Sequence, residues 1–112
     1  MELTQQVAAL VFKLLELSRM DKVDWQETAD EKAFLASVSK FVVTIGKEDF
    51  DSPPDYLLRV ADQSGKTLED ARVLRREPNY GELESLYELA RRRALHVDEA
   101  LSDLLSSLEN IK

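Results

Sequence analysis

Residues 82–111 read ELESLYELARRRALHVDEALSDLLSSLENI. Apolar residues recur in this stretch every three or four positions, which is the spacing of one face of an α-helix: they are Leu83, Leu86, Ala90, Ala94, Val97, Leu101, Leu104 and Leu108. No proline or glycine interrupts the run, so the pattern predicts a helix of about 30 residues, roughly 45 Å long. Continuity through His96 stays open, because Asp98 could cap a second helix start.

The N-terminal stretch, residues 3–20, has a second helical pattern. Its apolar residues alternate steps of four and three, as in a heptad seam: they are Leu3, Val7, Leu10, Leu14 and Leu17. Phe12 lies outside this apolar arc. Either the rest of the chain covers the whole helix, or part of it, including Phe12, contacts another chain.

A third helical pattern follows the N-terminal stretch. Residues 28–31, Thr-Ala-Asp-Glu, have the form of a capping box, which predicts a helix over residues 29–40. Trp25, the only tryptophan, precedes it. We expect Trp25 to lie over the core with its indole N–H hydrogen-bonded; the alternative is an exposed interface residue.

Three strands are predicted next. Residues 41–45 are β-branched and aromatic, residues 56–61 alternate, and residues 67–74 form a weaker strand that acidic and basic side chains mark as a sheet edge. The turn at residues 62–66 places Gly65 where a positive φ is needed. The sequence therefore predicts a single α+β domain over residues 1–112, in the order α-α-β-β-β-α. In this fold a small three-stranded antiparallel sheet packs against long amphipathic N- and C-terminal helices.

Composition limits the partners. The chain has 15 Lys and Arg against 22 Asp and Glu, a net charge of −7. Such an acidic protein repels nucleic-acid phosphates and anionic membranes, so neither is an expected partner. The chain has no cysteine, which excludes disulfides and thiol chemistry. It also lacks a signal-peptide pattern or a membrane span, so we expect a cytoplasmic protein.

Candidate chemical sites are weak. In the acidic loop of residues 48–55, Asp49, Asp51 and Asp55 are possible cation ligands, but the EF-hand glycine and closing glutamate are missing. Residues 91–93 are three arginines, and Glu88 precedes them at helical spacing, which favours a surface ion-pair network over an anion site. His96 has no triad pattern around it. We predict no catalytic residue, no metal site and no cofactor.

These patterns predict a non-catalytic protein-interaction module, an adaptor or regulatory subunit whose partner is another protein or a second copy. We expect a homodimer formed through the terminal helices. The candidate interface residues are Leu3, Val7, Phe12, Val97, Leu101, Leu104, Leu105 and Leu108. One alternative is a small acidic inhibitor, an immunity or antitoxin-type protein that covers a basic partner. Another is a small ligand-binding domain or enzyme with a pocket between sheet and helices, which would use Tyr56, Arg59 or His96.

Overall fold

The computed structural model describes residues 4–49 and 52–111. Along these residues, one helix is followed by five strands and then by two helices. The elements are α1 (Gln5–Arg19), β1 (Gln26–Glu27), β2 (Ala33–Val38), β3 (Phe41–Glu48), β4 (Asp55–Asp62), β5 (Thr67–Val73), α2 (Tyr80–Ala94) and α3 (Val97–Glu109). The strands form one antiparallel sheet in the order β1-β2-β3-β4-β5. No helix in the described part of the chain combines the length and hydropathy needed to cross a bilayer.

The α+β class is correct, but the predicted three-stranded sheet and the order α-α-β-β-β-α are wrong. The sheet has five strands, and the order is one helix, five strands and two helices. The missing strands are β1 and β2. β2 lies where a helix over residues 29–40 was predicted, and β1 precedes that stretch.

Side-chain alternation explains why residues 33–38 form a strand. Phe34 and Ala36 are buried and alternate with the less buried Ala33 and Leu35. Phe34 pairs with Ile45 of β3, so its ring joins the sheet's buried face. This cross-strand packing outweighs the helix propensity of an Ala- and Leu-rich segment.

The predicted capping box does not cap a helix. The hydroxyl of Thr28 accepts from the backbone N–H of Asp30 at 3.1 Å and lies 2.8 Å from the carbonyl oxygen of the same residue. This local turn leads the chain into β2. Ser39, with φ 55°, begins the two-residue turn between β2 and β3.

The three strands that were predicted are present as β3, β4 and β5. The turn between β4 and β5 has Gly65 at φ 89°, as predicted. β5 lies at the edge of the sheet and pairs with β4 alone among the described strands. Its exposed residues include Glu69, Asp70 and Arg72, and charges of this kind discourage pairing with other chains.

One face of the sheet carries the core. α2 lies on this face, and α1 packs on α2. Residues with almost no exposure come from all three layers: they are Trp25, Phe34, Ile45, Leu58, Leu83, Leu86, Val11 and Val73. The prediction for Trp25 is confirmed, because its ring is 2% exposed and its Nε1 donates to Ser18 Oγ at 3.0 Å.

The predicted helix over residues 82–111 is two helices. The chain turns at His96, which has φ 53° and ψ 44°, in the left-handed region. Backbone bonds from Leu95 N–H to Arg91 O (2.9 Å) and from His96 N–H to Arg93 O (3.2 Å) end α2. A left-handed residue at this position is a common helix stop, although glycine usually occupies it. The side chain of Asp98 does not cap α3.

Candidate functional site

α3 is the feature that distinguishes this molecule from an ordinary compact α+β domain. It has no glycine or proline, and its first turn holds Asp98 and Glu99, whose charges suit the positive end of a helix dipole. Its fourth residue, Ala100, donates to His96 O at 3.0 Å and so begins the helical ladder. These local features favour a helix over this segment.

α3 buries none of its residues. Val97 is half-buried at the base of the helix, and the side chains beyond it are exposed. The large apolar residues are exposed by about half or more: Leu101 48%, Leu104 54%, Leu105 61%, Leu108 54% and Ile111 70%. We call Val97, Leu101, Leu104, Leu105 and Leu108 the α3 stripe. Helices of soluble domains normally bury such a face, so the stripe indicates an interaction surface.

The molecule is elongated as a consequence. Its radius of gyration is 15.6 Å, against about 13 Å for a compact domain of this length. Its extents are 55 × 33 × 26 Å. α2 and α3 meet at their junction, and the exposure of the stripe shows that α3 leaves the body formed by the other elements.

The stripe follows a heptad. The steps from Val97 to Leu101, Leu104 and Leu108 are four, three and four residues. Leu101 and Leu108 therefore occupy a positions, and Val97 and Leu104 occupy d positions. Ile111, just past the helix end, lies three residues after Leu108 and continues the spacing. It was not among the predicted interface residues, although this step of three places it on the same face.

Charges on α3 avoid the seam. The flanking e and g positions are Asp98, Leu105, Ala100 and Ser107. Asp98 is neutralised within its own chain by Arg92, whose Nη2 lies 2.5 Å from Asp98 Oδ1. Glu99, Asp103 and Glu109 fall on outer positions of the heptad. Two copies of α3 can therefore meet along the stripe without an uncompensated charge at a flanking position.

Two of the other predicted interface residues, Val7 and Phe12, do not join the α3 stripe. Leu3 lies outside the described residues. Val7 is 8% exposed and belongs to the core, so a partner cannot reach it in the folded chain. Phe12 is 50% exposed, on α1. Among the predicted interface residues that the structure describes, only the C-terminal ones on α3 lie together.

The charged clusters form surface ion pairs. Arg91 bonds Glu88, Arg92 bonds Asp98, and Arg93 bonds both carboxylate oxygens of Asp21 at 2.8 and 2.9 Å. In the acidic loop, Asp55 receives a bond of 2.6 Å from Arg72, and Asp49 lies 3.1 Å from Lys32. Asp51 lies outside the described residues. Within the described ranges, no group of three or more His, Cys, Asp or Glu is arranged to hold a metal ion.

The residues named for a possible pocket do not converge. Tyr56 lies on the buried face of the sheet, where burial, followed by the charge of Glu84, raises its pKa to about 12. Arg59 is on the opposite face and pairs with Asp70 at 3.3 Å. His96 is at the junction of α2 and α3. Three cavities of about 200–330 Å³ are partly exposed to solvent and have charged residues in their linings.

The second face of the sheet has no helix over it in the described structure. Its side chains include the half-buried Leu35, Val42 and Leu57, with Arg59, Asp70 and Arg72 around them. This face was missed in the sequence, because β2 was not predicted as a strand.

Comparison of the chain with protein-family models, with curated proteins and with solved structures finds no match to any of them.

Proposed function

We propose that this protein is a non-catalytic protein-interaction module that self-associates through α3. The observation that carries the proposal is the α3 stripe, a continuous leucine-rich helix face that its own domain leaves uncovered. Covering such a face removes apolar surface from water, at about 25 cal/mol for each Å². An adaptor or regulatory subunit would use this helix to assemble.

A second copy is the partner that the stripe fits best. Leucines at a and d positions form a seam that is complementary to itself, and the flanking Ala100, Leu105 and Ser107 bring no like charges together. The stripe is only about two heptads long, and short helices of this kind associate weakly. We therefore expect a dimer that dissociates on dilution.

A charge-matched pair of variants tests the proposal. Leu104→Asp places a carboxylate in the seam, and Ser106→Asp places the same charge on the opposite side of α3, at about 100° per residue. We expect Leu104→Asp to stay monomeric by light scattering at concentrations where the wild type and Ser106→Asp are dimeric. Equal masses for the two variants would contradict the proposal.

The second candidate is an acidic inhibitor, of the immunity or antitoxin type, that covers a basic partner. Its support is the charge of α3, which holds four acidic residues and no Lys or Arg, in a chain of net charge −7. Mass measurements separate the candidates, because this one predicts a monomer in the absence of the partner. Its complex would weaken at high salt, where exposed charges are screened. Both candidates place the protein in the cytoplasm.

A further inference from the structure

We infer that the second copy pairs with α3 in the antiparallel sense, with Leu101 of each helix opposite Leu104 of the other. The inference rests on the proposed self-association and specifies its geometry. In this register Val97 lies opposite Leu108 of the second copy, so each a position meets a d position in four layers. The two-fold axis passes between residues 102 and 103, close to the middle of α3.

The width of the body argues against a parallel pair. Packed helices have axes about 8–10 Å apart, and the molecule measures 33 × 26 Å across its shorter dimensions. A parallel pair would put the bases of both α3 helices side by side at that spacing, so the two bodies would adjoin at the same end of the seam. An antiparallel pair puts the bodies at opposite ends of the seam, offset by the roughly 20 Å length of the helix.

Charge favours the same arrangement. Residues 1–96 hold 18 Asp and Glu against 14 Lys and Arg, so each body has a net charge of −4. Two such bodies repel when they touch, and an offset of about 20 Å exceeds the screening length of about 8 Å at physiological salt. The antiparallel pair also sets the negative end of each helix dipole beside the positive end of the other.

The absence of cysteine from the chain makes a clean cross-linking test possible. The variants are Val97→Cys and Leu108→Cys, made separately and mixed under mild oxidation. In the antiparallel register these two positions face each other. Val97 of one copy and Val97 of the other are then separated by roughly 16 Å along the axis, which is too far for a disulfide, whose Cα atoms lie within about 7 Å.

We expect a mixed disulfide between the two variants, and no disulfide in either variant alone. A disulfide within the Leu108→Cys variant alone would show a parallel pair and overturn the inference. A dimer that forms neither bond would overturn it as well. A monomeric wild type would refute the proposed self-association itself, so the two failures are distinguishable.

A second pair of variants keeps every leucine in place. Ala100 and Ser107 are both g positions, and g positions of antiparallel helices lie beside one another across the seam. Ala100→Cys mixed with Ser107→Cys should therefore be joined by a short bifunctional thiol reagent, which spans the greater distance between flanking positions. Failure of this pair in a chain that light scattering shows to be dimeric would contradict the antiparallel register.

Discussion

Arg92 and Asp98 join the last turn of α2 to the first turn of α3, with Arg92 Nη2 2.5 Å from Asp98 Oδ1. Between them, His96 has a left-handed backbone conformation. An exposed ion pair of this kind contributes about 0–1 kcal/mol. The left-handed backbone of His96 costs about 1–2 kcal/mol. The left-handed backbone of His96 turns α3 away from the axis of α2, and the ion pair offsets at most part of the cost of that conformation.

Substitution of His96 tests this account of the helix break. His96→Gly removes the Cβ penalty at φ 53° and should raise the free energy of unfolding by up to about 1 kcal/mol. His96→Val, with a β-branched side chain, should lower it. Thermal unfolding followed by circular dichroism measures both. Higher helicity with unchanged stability in His96→Val would mean that α2 and α3 fuse readily, and that the break does not depend on this residue.

Two helix leucines, one buried and one exposed, should respond differently to truncation to alanine. Leu86 of α2 is fully buried and Leu105 of α3 is 61% exposed. Leu86→Ala should lower the free energy of unfolding by about 2–5 kcal/mol, because it leaves a cavity in the core. Leu105→Ala should change it by less than about 0.5 kcal/mol under dilute, monomeric conditions. Urea unfolding gives both values, and a large loss for Leu105→Ala would mean that α3 packs on its own domain.

The hydrogen bond from Trp25 to Ser18 provides a spectroscopic prediction. Ser18→Ala leaves the indole N–H of a 2% exposed ring without its acceptor, at an expected cost of about 1–2 kcal/mol. Because Trp25 is the only tryptophan, the substitution should shift the wavelength of its fluorescence emission. It should also lower the unfolding midpoint that this fluorescence measures. Ser102→Ala, on exposed α3, is the control and should behave as the wild type.

Stability should fall at alkaline pH through Tyr56. In the folded chain its pKa is raised from the ordinary value of 10.0 to about 12, mainly by desolvation and next by the charge of Glu84. The folded state therefore holds the phenol proton more tightly than the unfolded state does. The stabilisation is complete below pH 10 and is lost as the pH rises toward about 12. Burial also raises the pKa of Tyr80 and Tyr87, which act in the same direction.

Tyr56→Phe is the matched variant for that pH dependence. It keeps the ring that packs against Tyr80 and Tyr87, at centroid distances of 5.2 and 5.6 Å. Its unfolding free energy should decline less steeply between pH 10 and about 12 than that of the wild type. Identical slopes would show that the phenol of Tyr56 titrates equally in both states.

The sequence predicted those elements whose local pattern agrees with their packing. Residues 41–45 are β-branched and form β3, and Gly65 takes the positive φ that its turn requires. β2 was missed because Ala33, Leu35 and Ala36 favour helices locally, and only pairing with β3 reveals the alternation. The break at His96 was not resolved because histidine is uncommon in a left-handed helix stop.

The candidate surface was predicted in part for the same reason. The heptad from Val97 to Leu108 is a local signal and is readable from the sequence. The burial of Val7 cannot be read from the sequence, because α1 has the same heptad spacing but packs against α2. A helical stripe shows that a helix must be covered, but the packing of the rest of the chain determines whether it is covered from within.

The central claim is that α3 is covered by a second copy of the chain. Sedimentation equilibrium of the wild-type protein over a wide range of concentrations tests it most directly. We expect the average mass to rise from that of the 12.8 kDa chain toward twice that value as the concentration increases. A mass that stays at 12.8 kDa at every concentration would contradict the claim.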